Sequence, residues 1–133
     1  MTNHDTNKIA LQSDIDRYYY YLNMITENVR NGYNYMVIKY CDLSLPLIPL
    51  LIEQNKKDFG EFDITTLPAI ELGATLWSYQ GNLGKIKEIE VLIDTHSELE
   101  PWRIHLERAY EMMWERYEAG EAPRMIDVPH IDA

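Results

Sequence analysis

Apolar residues recur three and four positions apart along most of this 133-residue chain, which is the spacing of one face of an α-helix. Residues 85–99 are ambiguous, because Ile89, Val91 and Ile93 also alternate as they would in a strand. This segment is predicted to be helical, since Glu and Lys fill its other positions and no second strand-like segment exists to pair with it. The pattern therefore predicts an all-α protein.

Glycine, proline and capping residues divide the pattern into five or six short helices. Ser13 and Asp16 have the spacing of a capping box, and Gly32 ends the helix that they begin. Further breaks fall at Ser44-Leu45-Pro46, in residues 56–63, at Thr66 and Pro68, at Gly81-Asn82 and from Ser97 to Pro101. Helices of this length joined by short turns are expected to pack as a compact hairpin or orthogonal bundle.

One part of the pattern faintly resembles the helix hairpins of tetratricopeptide proteins. Leu72-Gly73 begins one helix, Gly81 lies in the turn, and Pro101 follows the next helix, as in such a repeat. No second copy occurs at a period of about 34 residues, and the alanines at helix crossings are mostly missing. The resemblance implies hairpin packing and assigns no family.

The length fits one helical domain, predicted for residues 13–120. Residues 1–12 are polar and lack the features of a signal peptide, while residues 121–133 contain two prolines and little periodicity. Both ends are expected to be flexible or to lie along the surface. The single cysteine, Cys41, cannot form an internal disulfide and favours a reducing, cytoplasmic location. The longest apolar run, residues 45–52, is far shorter than the ~20 residues of a membrane span.

The charge balance disfavours two classes of partner. The chain has 22 acidic and 12 basic residues, which gives a formal net charge of −10. Such a charge repels nucleic acid phosphates and anionic membranes, and it favours a basic protein surface.

Residues 101–120 carry three separate faces along one predicted helix. At about 100° per residue, the apolar face comprises Trp102, Leu106, Ala109, Tyr110, Met113 and Tyr117. A neighbouring band holds the carboxylates of Glu107, Glu111, Glu115 and Glu118. The bases of this segment, with His105, fall on the far side and are not interleaved with the acids.

The edge between the acidic band and the apolar face is occupied by Trp114. A ring face beside carboxylates is suited to receive Arg or Lys from a partner. The predicted partner-binding residues are therefore Glu107, Glu111, Trp114, Glu115 and Glu118, with Phe59 and Phe62 as a second contact. The favoured function is a non-enzymatic protein-binding module of the inhibitor, immunity, antitoxin or chaperone type.

Two alternatives stay open. Tyr20 and Met24 lie off the inward stripe of the first helix, so they could pair across a twofold axis in a homo-oligomeric scaffold. The other alternative is a small helical enzyme that depends on a metal or ligand and uses His96 with nearby glutamates.

No histidine has a glutamate three residues before it, and no nucleophile or phosphate-loop motif is present, so no catalytic, cofactor or metal residue is predicted. Glu71 is expected to face solvent.

Overall fold

The computed structural model describes residues 13–121, which form six α-helices, two 3-10 helices and no strand. The α-helices are α1 (Asp14–Asn31), α2 (Asn34–Ser44), α3 (Ile48–Phe59), α4 (Pro68–Tyr79), α5 (Leu83–Thr95) and α6 (Arg103–Glu118). The 3-10 helices are Leu45–Leu47 and Ser97–Trp102. The all-α prediction is confirmed, and the ambiguous segment is helical. The flexible ends predicted for residues 1–12 and 121–133 lie, except for Glu121, outside the described residues.

Local signals set the two ends of α1. The Ser13 Oγ accepts a hydrogen bond from the backbone N–H of Asp16 at 3.1 Å, which satisfies a donor of the first turn. Gly32 ends the helix with a φ of 75°, a left-handed conformation that strains any residue with a Cβ atom.

The residue expected to cap the third helix is Ser44, with a kink or late start at Pro49. The structure has the late start, but the cap is wrong. Its hydroxyl is buried and donates to the Tyr40 carbonyl at 2.6 Å, so it bonds back into α2 and leaves the next helix uncapped. Helix α3 begins only at Ile48, with Pro49 in its first turn, where a missing N–H costs nothing. The prediction of one helix over residues 101–120 is likewise wrong at its start, because Pro101 lies in the preceding 3-10 helix.

Helix α4 occupies the centre of the bundle. It packs against α2, α5 and α6, and seven of its twelve residues are buried. Helix α1 covers α2 and α3 on one side. The mostly apolar sequence of residues 33–43 predicts a helix near the middle of the core, but Tyr35 and Leu43 leave one side of α2 open to solvent.

The segment from α2 through α3 is continuous and apolar. Residues Asn34–Phe59 reach a mean hydropathy of 1.5 over an 18-residue window, which by length and composition alone would suit a membrane span. Half of that window is buried inside the domain, against neighbouring helices. The core helix of a soluble protein has the same composition, so hydropathy does not distinguish the two.

Helices α4 and α6 run in parallel, and paired contacts along their length establish this. Near their starts, the Trp102 indole N–H donates to the Glu71 carboxylate at 2.8 Å. Near the end of α4, the Ser78 hydroxyl approaches the Met112 sulfur at 3.2 Å, and the Arg116 guanidinium lies 5.1 Å from the Tyr79 ring centroid. Helix α4 ends at Tyr79, so the last turn of α6 extends beyond it.

The glycine in the middle of α4 makes room for a tryptophan. A Cβ atom at position 73 would lie 2.6 Å from the Trp77 ring, because helical side chains point back toward the N-terminus. We expect Gly73→Ala to destabilise the protein by about 1–2 kcal/mol despite the higher helix propensity of alanine, because the buried ring must move. Gly84→Ala is the matched control, since its Cβ would be 3.6 Å from the nearest atom, and it should raise the melting temperature slightly. Thermal melts that ranked the two variants in the opposite order would contradict this packing.

Candidate functional site

Four exposed glutamates form a band along the outward side of α6. Glu107, Glu111, Glu115 and Glu118 are all classed with the exposed side chains of this helix. They recur three and four residues apart, so their carboxylates are neighbours on one helical face. Like charges at this spacing destabilise a helix by roughly 0.2–0.5 kcal/mol per pair. The band is therefore a feature that folding alone does not favour.

The band shares its helix with Arg108 and Arg116, yet its glutamates have no ion-pair partner within residues 13–121. None of the four glutamates forms an ion pair or a side-chain hydrogen bond with another described residue. Three other basic side chains are paired with acids outside the band. Lys56 pairs with Glu98 at 2.7 Å, Lys85 pairs with Asp42 and Glu88, and Arg103 pairs with Asp94 and Glu100.

Two aromatic rings lie beside the band at the C-terminal end of α6. Trp114 is 60% exposed and Tyr117 is 74% exposed. Their rings stack, with centroids 5.7 Å apart and an interplanar angle of 27°. Tyr117 was predicted to face the core, and that prediction is wrong. The helical period places it correctly around the axis, but it lies beside the last turn of α4, where it lines a groove with Ser78 and Gly81 and most of its ring stays exposed.

We call the four glutamates together with Trp114 and Tyr117 the acidic aromatic face. A ring face attracts cations through its quadrupole, with about 0.5–2 kcal/mol available depending on desolvation. Carboxylates on the same surface add a Coulombic attraction that extends to roughly 8 Å at physiological salt. Together these groups can receive lysine or arginine side chains.

The two phenylalanines do not join this face. Phe59 ends α3 and is 63% exposed, whereas Phe62 is partly buried and packs edge-to-face on Trp102 with ring centroids 6.1 Å apart. Trp102 and Trp114 are twelve residues apart, which is roughly 18 Å along a helix. Phe62 therefore lies near the opposite end of α6 from the stacked aromatic pair.

The expectation that Glu71 faces solvent is correct for only part of its side chain, which is half-buried. Its Oε2 accepts hydrogen bonds from the Leu67 backbone N–H at 2.6 Å and from the Trp102 indole at 2.8 Å. Leu67 precedes α4, and its side chain cannot accept a hydrogen bond from the first turn. The Glu71 side chain bends back toward the start of the helix and accepts the Leu67 N–H instead. This carboxylate links the start of α4 to the start of α6.

Groups capable of catalysis or metal binding are dispersed. Cys41 is fully buried, and burial raises the pKa of its thiol to about 12, so it is not a thiolate near neutral pH. His96 follows α5 and lines a groove with Glu53 and Lys56. Among the described residues, no group of three or more His, Cys, Asp or Glu side chains is placed to hold a metal ion.

Comparison with known proteins yields no match to a family model, to a curated protein or to a solved structure. The faint resemblance to tetratricopeptide hairpins therefore assigns no function. What the acidic aromatic face can bind follows from its own chemistry.

Trp114 differs from the other two tryptophans in exposure, and this can be measured. Trp77 and Trp102 are buried, so we expect Trp114→Phe to remove most of the red-shifted, acrylamide-quenchable fluorescence. Because the ring contacts little besides Tyr117, the free energy of unfolding should change by less than about 0.5 kcal/mol. Quenching that stayed the same in the variant would place the exposed indole elsewhere.

Proposed function

We propose that the protein is a non-enzymatic binding module whose acidic aromatic face engages a basic surface of a partner protein. The observation that supports this most directly is the band of four exposed glutamates, none of which forms an ion pair with a described residue. A cationic partner would remove the repulsion between these carboxylates and gain their attraction at the same time.

The stacked pair of Trp114 and Tyr117 supplies a large contact area, which charge alone does not. Tryptophan and tyrosine are enriched among the residues that dominate binding energy, because they bury large areas with little loss of rotamer freedom. Exposed carboxylates act mainly on the rate of association. We therefore assign the glutamates to steering the partner and Trp114 with Tyr117 to retaining it.

The shape of α6 favours a partner that receives a helix. Its 16 residues span about 24 Å, and its last turn projects beyond α4. A concave basic groove would contact the band and the ring pair together, whereas a flat surface would reach only one side of the helix. Small inhibitor, immunity, antitoxin or chaperone proteins are the classes to which this arrangement is suited.

A pair of charge-reversed variants tests the proposal. The first is Glu111→Lys with Glu115→Lys, and the matched control is Glu27→Lys with Glu53→Lys, which are exposed acids on α1 and α3. Each pair changes the formal net charge from −10 to −6, because each reversal adds two positive charges. Only the first pair alters the acidic aromatic face.

The partner is first co-purified with the unaltered protein and identified by mass spectrometry. The rate at which each variant associates with that partner is then measured. We expect the first pair to slow association about tenfold at low salt and to flatten its salt dependence, with an unchanged melting temperature. The control pair should slow association far less. Equal slowing by both pairs would mean that net charge, and not this face, governs binding.

A homo-oligomeric scaffold is a second candidate, and one observation favours it. Tyr20 is 53% exposed, and its ring contacts Tyr21 and Tyr40 in an aromatic cluster on α1 and α2. The other predicted dimer residue, Met24, is partly buried against the core and offers less surface. If this cluster pairs two copies, light scattering at high concentration should show a dimer that Tyr20→Glu dissociates. A monomer at all concentrations would remove this candidate.

A further inference from the structure

A groove distinct from the acidic aromatic face lies at the other end of α6. It has a volume of about 450 Å³ and is lined by Phe62, Glu71, Glu98, Trp102 and His105, among others. The α3–α4 connection, the 3-10 helix Ser97–Trp102 and the first turn of α6 surround it. Grooves of about 300–1,000 Å³ hold small molecules.

The Glu71 carboxylate is held in place and keeps one oxygen available. Both of its hydrogen bonds, from the Leu67 N–H and the Trp102 indole, reach Oε2. No described residue donates to Oε1, and no buried side-chain oxygen or nitrogen in the described part of the chain lacks a partner. The Oε1 atom is therefore accessible to solvent, and Glu71 meets solvent at the groove that it lines.

A second carboxylate makes the groove anionic. Glu98 forms an ion pair with Lys56 at 2.7 Å, and that ammonium lowers the pKa of the Glu98 carboxyl below its ordinary value. Two carboxylates and one ammonium leave one negative charge when His105 is neutral. The electrostatic complement is a monovalent cation.

Phe62 gives the groove an apolar wall. Its ring is fixed by the edge-to-face contact with Trp102, at a centroid distance of 6.1 Å. A hydrated inorganic cation would bury no apolar surface against this wall. An organic cation with a flat head and an alkyl body could use both the aromatic surface and the free carboxylate oxygen.

We propose that this groove binds the guanidinium group of a small organic monocation, with the head on Glu71 and the alkyl body along Phe62. Guanidinium is preferred to ammonium because it is more weakly hydrated, so it loses less hydration on entering a partly apolar groove. The site does not depend on the function proposed for the acidic aromatic face.

The test uses butylguanidinium and its neutral isostere butylurea. The Trp102 indole N–H is the probe, because it donates to the same carboxylate that would hold the ligand. Butylguanidinium should shift this resonance saturably in nitrogen-proton NMR spectra, with an apparent Kd of about a millimolar, as expected for so small a ligand. Butylurea should bind at least about tenfold more weakly, because it lacks the positive charge.

Two variants and one control locate the site. Glu71→Gln should weaken butylguanidinium binding about tenfold, since the amide keeps an acceptor for Trp102 but loses the charge. Phe62→Leu keeps every charge and should weaken binding about threefold through loss of the ring. Glu111→Gln, on the acidic aromatic face, makes the same charge change as the first variant and should leave binding unaltered.

A guanidinium can be free or can belong to an arginine of another protein, and N-acetyl-argininamide separates these sources. Binding as tight as that of butylguanidinium would indicate a protein arginine, whereas much weaker binding would indicate a free small molecule. Either result supports guanidinium recognition. An equal response to butylurea, unaltered binding in both the Glu71→Gln and Phe62→Leu variants, or no saturable shift would overturn the proposal.

Discussion

The parallel contact between α4 and α6 is the constraint on which the rest of the structure depends. At its start, Glu71 satisfies the first turn of α4 and the indole of Trp102 with one carboxylate oxygen. At its end, α4 stops at Tyr79 while α6 continues to Glu118. The first fact creates a groove with a fixed carboxylate, and the second leaves an aromatic pair uncovered. One helix-helix contact therefore produces both surfaces to which we assign binding.

The distribution of charge is as informative as its total. Many acidic proteins are acidic only to stay in solution, and then bases and acids are interspersed. Here Lys56, Lys85 and Arg103 are paired with acids on or beside α2, α5 and the 3-10 helices, while the α6 glutamates are left to repel one another. Surface ion pairs are worth little individually. Their placement matters because it leaves the unpaired negative charge concentrated on the glutamates of α6.

Features governed by nearby residues could be predicted from the sequence, and features governed by distant ones could not. Ser13 and Gly32 mark the ends of α1 through bonds within a few positions, and the helical period places the α6 glutamates on one face. Glu71 is held by a tryptophan 31 residues away, so its own helix gave no indication of it. Tyr117 follows the period, yet its exposure depends on where another helix ends. The lengths of α4 and α6 indicate this exposure only once the pairing of the two helices is known.

The burial of Cys41 makes the reactivity of its thiol a probe of opening motions in the bundle. It is the chain's only cysteine, it lies at the contact between α2 and α4, and its sulfur is 3.8 Å from the Pro68 carbonyl oxygen. Because the thiol is fully buried and burial raises its pKa, a reagent in solution reaches it when these helices separate. When labelling of the open state is faster than reclosing, the labelling rate measures how often the centre of the bundle opens, without any engineered probe.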